Sequence, residues 1–374
     1  MRGTPLAVLA MIRALCELGH RVELLSFPQG EPVGVPGLVH RRSLRLPVGR
    51  VPPGASLGKL VLDLPFTLEA WLRMCLGRYD VVHAVEEAAY AVAPLARLLR
   101  LPLVMDVDSS IPDQLRYSGF ARRGPLPALA ARLERYAARS SAAVVTVCAS
   151  LTEGIRRAAP EASVFQIEDP PLVDPGQPPD AARVDALRRE LGLGQGPVVF
   201  YSGNLEPYQG VPWLLDAAER VPEVQLVVMG GEPAEIETLR GGLRGRDLEA
   251  RCRFAGKRPP AELPAFLGLA DVVVSPRARG ENTPFKVYTY LAAGKPLVAT
   301  RIPTHTQLLD DSLAILVDPS PEGIAGGIRD ALADPGAAAR RAAAGRELIE
   351  REYSPRRFAE KVARAYAHVA ASAS

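Results

Sequence analysis

Along the N-terminal half of the chain the apolar positions recur at two spacings. From about Pro5 to Leu18 they keep the three-to-four-residue period of a helix, which stops at Gly19. Short Val- and Ile-rich runs then occur at Arg21–Phe27, Val81–Ala84, Leu103–Val107, Ala143–Cys148 and Val164–Ile167 and read as strands. Helical stretches such as Glu86–Leu99 and Pro127–Arg139 separate them, the pattern of a parallel sheet with helices on its faces. Periodicity breaks between Glu168 and Asp180, where five prolines and one glycine intervene. It resumes with strands at Val198–Ser202, Gln225–Met229, Cys252–Ala255, Val272–Ser275 and Leu297–Thr300. The helices between them are Pro212–Arg220, Pro233–Leu239, Ala261–Leu269 and Pro284–Ala293. The tail from Pro335 to His368 reads as two helices split near Tyr353-Ser354-Pro355. A doubly wound domain places a strand before its first helix, yet Met1-Arg2-Gly3-Thr4-Pro5 is already a helix start. The first N-terminal strand is therefore missing from the pattern, and a gene start set too late is weighed against a sheet that lacks this strand.

The 374 residues exceed what one core usually serves. Together with the proline break they predict an N-terminal domain over 1–170, a C-terminal domain over 171–350, and a terminal helix over 351–374 that needs another surface to pack on. A net charge of +3, from 45 basic and 42 acidic residues, lacks the basic excess that nucleic-acid binding requires. Only five of the 45 are lysines, so a lysine is the less expected basic residue wherever one occurs. Cys16, Cys75, Cys148 and Cys252 are dispersed, which argues against a zinc site or a disulfide framework and fits a reducing cytoplasm. No apolar run approaches the ~20 residues that span a bilayer, and the N-terminus lacks the order of a signal peptide. From Arg116 to Arg139 six arginines face a single acid, Glu134. Two readings of that stretch stand: a solvated helix face, or peripheral contact with anionic headgroups on the inner side of a membrane.

The candidate chemistry lies at strand-to-helix joints. After Val272–Ser275 the chain runs Pro276-Arg277-Ala278-Arg279-Gly280-Glu281-Asn282-Thr283-Pro284-Phe285-Lys286. Thr283 reads as an N-cap, Pro284 as the first helical residue and Gly294 as the stop, so unpaired amides would be delivered to the carboxyl edge of the sheet. Such amides and the helix dipole bind phosphate or sugar oxygens. Lys286 in the first helical turn is disfavoured there unless something negative is nearby. Arg277 and Arg279 add positive charge, and Glu281 offers a carboxylate to sugar hydroxyls. Two further joints, Gly203-Asn204 and Gly230-Gly231, would converge on the same edge. In the N-terminal half, Gly3-Thr4-Pro5 repeats the capping logic, His83 and Glu86 follow one strand, and Asp106 and Asp108 follow another.

Taken in order, Leu18-Gly19-His20-Arg21-Val22, Tyr79-Asp80-Val81-Val82-His83, Gly203-Asn204-Leu205, Phe254-Ala255-Gly256, Ala270–Pro276 and Leu291–Thr300 are specific. With them the chain resembles the retaining glycosyltransferases of family 4 over nearly its whole length. The resemblance implies a GT-B fold of two facing Rossmann-like domains. It implies a nucleotide-sugar donor on the C-terminal domain, a lipid-linked, saccharide or small-molecule acceptor on the N-terminal one, and a terminal helix crossing back. Glu281 takes the place of the first Glu of the family's Glu-x7-Glu motif, followed by the amides of Asn282 and Thr283. The second Glu, which contacts ribose, falls on Thr289, a departure because one hydroxyl cannot accept as a carboxylate does. The glycine loop offers Glu206 and Gln209 where the family has a basic pair, so Lys286 and Arg277 are the expected substitutes. A family histidine aligns with Asp108. The implied chemistry is metal-independent transfer with retention, with no cofactor beyond the nucleotide-sugar co-substrate. The candidate catalytic residues are then Glu281, Asp108 and His83. A nucleotide-sugar-binding GT-B protein impaired in catalysis and a GT-B nucleotide-sugar isomerase are the alternatives.

Overall fold

The computed structural model describes residues 3–29, 32–45, 57–117 and 124–373. They divide into two compact units: one of Val8–Glu168 with Phe358–Ser374, the other of Asp169–Arg357 with Met1–Ala7. The predicted boundaries at 170 and 351 thus fall at 168 and 357.

The chain begins with α1 (Gly3–Glu17), which belongs to the N-terminal unit from Val8 onward, followed by β1 (Val22–Ser26), β2 (Leu38–Arg42) and α2 (Leu57–Leu76). It continues through β3 (Val82–Val85), α3 (Glu87–Leu99), β4 (Leu103–Val107), α4 (Ile111–Tyr117), α5 (Leu126–Ser140), β5 (Ala143–Thr146), α6 (Ala149–Ala158) and β6 (Val164–Gln166). Strands β3-β4-β5-β6 form a parallel sheet in that order, while β1 and β2 form a separate parallel pair. Among the described residues no strand joins β1 to β3. Because successive strand residues point to opposite faces, Met105 and Val144 enter the core under α2, α3, α5 and α6, whereas Val104 and Val145 enter the core on the other side. That second core is closed by Met11 and Leu15 of α1 and by Phe358, Val362 and Val369 of the terminal helix.

The C-terminal unit holds α7 (Ala181–Glu190), β7 (Val198–Ser202), α8 (Val211–Glu219), β8 (Gln225–Met229), α9 (Pro233–Gly241), β9 (Cys252–Gly256) and α10 (Leu263–Leu269). Then come β10 (Val272–Ser275), α11 (Phe285–Ala292), β11 (Leu297–Thr300), α12 (Pro303–Thr306), β12 (Ile315–Val317), α13 (Pro321–Ala333) and α14 (Pro335–Leu348). A π-turn over Ile349–Tyr353 leads into α15 (Pro355–Ala373), which belongs to the N-terminal unit from Phe358 onward. The six parallel strands are ordered β9-β8-β7-β10-β11-β12, so the winding reverses between β7 and β10. Phe200 and Val227 pack on one face of this sheet and Val199 and Leu226 on the other.

Two capping expectations are corrected. Helix α11 starts at Phe285, with Pro284 in extended conformation (ψ 129°) as its cap, so Thr283 lies one residue outside and is buried at 3% exposure. The proline's missing N–H suits a position just outside the ladder as well as one just inside it. Helix α1 already includes Gly3 and Thr4, which places Thr4 within the first turn rather than at a cap.

The terminal helix is tied down by one buried charge. Lys361 Nζ donates to Glu168 Oε2, and Gln166 Nε2 donates to Glu168 Oε1 at 2.7 Å. Lys361→Ala strands the carboxylate in a site only 9% exposed. It should lower the urea-unfolding free energy by about 3 kcal/mol. Adding Glu168→Gln should recover part of that loss, whereas simple additivity in the double variant would contradict the account.

Candidate functional site

The winding reverses between β7 and β10, the switch point at whose carboxyl end the crevice of an open parallel sheet takes its ligands. The two loops at this point are stitched together, since Ala278 N donates to Tyr208 O at 2.9 Å. Gly210 (φ 71°) allows the approach: a Cβ there would lie 1.9 Å from Pro276 O. Lys286, the second residue of α11, reaches into this junction. Its Nζ donates to Gln209 Oε1 at 3.1 Å and sits 3.9 Å from the centroid of the Tyr201 ring. At Gly203 (φ 146°) a Cβ would stand 2.7 Å from that Nζ, so the lysine passes directly over the glycine loop. Among the described residues no carboxylate lies within ion-pair distance of Lys286. Burial, and then the charge of Arg277, push its pKa well below the usual lysine value.

Arg277 is buried rather than solvated and holds the predicted loop by its backbone. Its Nε donates to Arg279 O at 3.1 Å, Nη1 to Asn282 O at 2.8 Å and Nη2 to Asn282 Oδ1 at 3.1 Å. Gln307 Nε2 ties the same loop through Glu281 O at 2.9 Å. Glu281 is half-buried on this braced segment, whereas Arg279 is exposed. Gly230 packs against the loop after β7, since a Cβ there would meet Gly203 O at 2.0 Å, and Gly231 packs beside Leu205. Asn204 shapes the loop by accepting from Glu206 N at 3.3 Å. Thr289 takes no part: it is 1% exposed, and its Oγ1 accepts from Leu172 N at 3.1 Å. Its side chain therefore anchors the proline-rich segment rather than facing the crevice.

Beneath the loop lies a histidine that the sequence reading passed over. His305 is fully buried, with Nε2 2.8 Å from Ser275 Oγ and Nδ1 2.7 Å from Thr300 O. A carbonyl only accepts, so Nδ1 carries the proton and Nε2 accepts from the serine hydroxyl. Thr300 Oγ1 in turn donates to Arg277 O at 2.6 Å. The ends of β10 and β11 are thus joined under Arg277. A lone histidine in Thr304-His305-Thr306 carries no spacing that could have announced this.

In the N-terminal unit the polar residues after β3 and β4 also meet. His83 Nε2 is 3.0 Å from Asp106 Oδ2 and Nδ1 is 2.7 Å from Tyr366 Oη. The carboxylate requires the proton on Nε2, which leaves Nδ1 to accept from the phenol. Burial and the Asp106 charge raise the Tyr366 pKa and keep it a donor. Both ring nitrogens of His83 are therefore occupied in fastening α15. Glu86 caps α3 at φ 53° and ψ −130°, a conformation strained for a side chain. Its N–H donates to Asp106 O at 2.7 Å and its Oε1 accepts from Ser109 Oγ. Asp108 is buried at 6% exposure just beyond β4. Gly3 and Thr4 form the first turn of α1.

Comparison with known proteins shows the lineage. The pattern described as "Glycosyl transferase 4-like domain" matches residues 2–167, and that of "Glycosyl transferases group 1" matches 196–334. The D-inositol 3-phosphate glycosyltransferase of Xylanimonas cellulosilytica is 30% identical over 93% of this chain and 88% of its own. The chain belongs to the group 1 glycosyl transferases. The alpha-D-kanosaminyltransferase of Streptomyces kanamyceticus is 28% identical to this transferase, and the match spans 66% of each chain. Among solved structures, sucrose-phosphate synthase of Thermosynechococcus elongatus has a TM-score of 0.81 at 21% identity, covering 99% of this chain and 94% of that one. Anabaena HepE, solved with UDP-glucose, has a TM-score of 0.77 at 18% identity, covering 98% and 96%. These structures show the GT-B fold of the transferase.

Burial lowers the His305 pKa to about 4, with Arg277 and Lys286 adding to the effect. The unfolded chain therefore binds this proton first, near the ordinary value of ~6.5. The stability that this contributes is complete above that value and lost as pH falls through the folded one, a swing of about 3 kcal/mol. An NMR titration of the ring should have its midpoint at about 4. A midpoint at the ordinary histidine value would contradict the burial argument.

Proposed function

We propose that this transferase moves a sugar, with retention of anomeric configuration, from a nucleoside-diphosphate sugar to a hydroxyl acceptor. The carrying observation is Lys286, a partly buried amine with no carboxylate partner among the described residues, at the switch point of the C-terminal sheet. The diphosphate of the donor is the anion that completes it, aided by the amides at the start of α11. The UDP-glucose bound by HepE supports a donor of this class.

In this reading Gly203, Asn204, Gly230 and Gly231 form the bed for the nucleotide. Glu281, Asn282 and Thr283 receive the donor sugar on the loop that Arg277 braces. As the glycosidic bond breaks, negative charge grows on the leaving diphosphate, and Lys286 stabilises it where water is largely excluded. That diphosphate then takes the acceptor's proton, so no protein nucleophile and no metal is needed. Asp108 and Glu86 are the acceptor-side carboxylates, and Asp106 holds Glu86 by its backbone carbonyl and His83 by its side chain. D-inositol 3-phosphate in the name of one relative supports an acceptor rich in hydroxyls.

The test is Lys286→Met. It removes a poorly solvated cation, so the free protein should unfold at equal or higher temperature. It also removes a charge-assisted contact of roughly 1.5–3 kcal/mol, which lowers kcat/KM by about ten- to a hundredfold and abolishes the thermal shift produced by UDP. Unchanged donor affinity and turnover would refute the assignment. Nucleotide release from a panel of donors, with and without acceptor, separates transfer from binding alone, and interconversion of free nucleotide-sugars would mark an isomerase.

A further inference from the structure

The helical layer α2, α3 and α5 carries surface chemistry that sugar transfer does not use. In α2 every exposed side chain among the described ones is apolar: Leu64, Leu68, Trp71, Leu72, Cys75 and Leu76. Leu64, Leu72 and Leu76 are 65%, 58% and 76% exposed. Arg73 of this helix is half-buried and pairs with Glu69 and Glu23. A surface helix ordinarily shows the reverse arrangement, with its polar side outward.

The neighbouring helices extend the pattern. α3 packs against both α2 and α5. It ends in Arg97-Leu98-Leu99-Arg100, all four exposed. Along α5 the exposed Leu126, Leu129 and Leu133 run beside the exposed Arg132 and Arg135. Arg97, Arg100, Arg132 and Arg135 make no ion pair with another described residue. The exposed described side chains of the three helices include no aspartate or glutamate. The face is therefore apolar ridges interleaved with guanidinium groups that no described carboxylate pairs.

We infer that the α2–α3–α5 face is a docking surface for an anionic lipid bilayer. Headgroup phosphates satisfy the arginines while the leucines and Trp71 enter the acyl boundary, the division that an interfacial surface requires. A second copy of the chain fits poorly, because docking through the same face would bring arginine against arginine. The stretch of arginines noted in the sequence thus acts with α2, whose contribution composition alone did not disclose.

The experiment is sedimentation of the full chain, without nucleotide, on vesicles of equimolar phosphatidylglycerol and phosphatidylcholine or of phosphatidylcholine alone. Binding is expected to the anionic vesicles, weakening as salt rises. Leu68→Glu with Leu72→Glu should reduce partitioning more than about a hundredfold, from the apolar area withheld. Arg132→Glu with Arg135→Glu should reduce it by at least roughly 30-fold and flatten the salt dependence. Both pairs replace exposed residues, and near-UV circular dichroism confirms that each variant is folded. No binding to anionic vesicles, or binding unchanged in either variant, overturns the inference. So does a stable dimer by light scattering that Leu68→Glu with Leu72→Glu dissolves, which would make the face a protein interface. Because no donor is present, failure here leaves the transferase reading untouched, and failure of the Lys286 test leaves this one untouched.

Discussion

Lys286 is a cation held where neither water nor a carboxylate fully compensates it, and much of the C-terminal unit is arranged around that fact. Its Nζ rests on the Tyr201 ring and on the Gln209 amide oxygen, and Arg277, whose charge disfavours a second cation, stands in the same crevice. A site like this is costly when empty and becomes favourable when an anion enters. The cost is borne by a parallel sheet whose strands are buried on both faces, so the positions of Tyr201 and α11 do not depend on the ligand.

Rigidity at the crevice comes from polar groups that are fully spoken for. His305 joins the ends of β10 and β11, Thr300 passes that constraint to Arg277, and Arg277 fixes the backbone from Arg279 to Asn282. Glu281 therefore sits on a loop braced from below. The N-terminal unit uses the same device at larger sequence separation: Tyr366, His83 and Asp106 connect the last helix to β3 and β4. Catalysis by positioning and charge needs such preorganisation more than it needs reactive side chains.

Most of the strands were legible in the sequence because parallel strands buried on both faces are continuous Val- and Ile-rich runs, as at Val198–Ser202 and Gln225–Met229. The switch-point loops were legible through glycine, proline and an unexpected lysine. Helix α2 was not, because Pro65 interrupts it and its leucines face outward as well as inward, which blurs the helical period. Strand β2 escaped for a related reason: Leu38–Arg42 is half exposed and ends in charged residues. The start of α11 was misplaced by one residue because Thr-Pro suits two registers of a cap, and only packing chooses between them. Thr289 and His83 are candidates from position alone. Their partners, Leu172 and Tyr366, lie 117 and 283 residues away, beyond anything local pattern can reveal.

The central claim is that Lys286 awaits a diphosphate, and it can be measured on that side chain directly. The chain has five lysines, so reductive methylation with a carbon-13 label yields a spectrum simple enough to assign with a Lys286→Arg variant. The account predicts that the Lys286 signal titrates well below the ordinary lysine range in the free protein and moves upward when UDP is added. A Lys286 signal that titrates like an exposed lysine, or that ignores UDP, would contradict it.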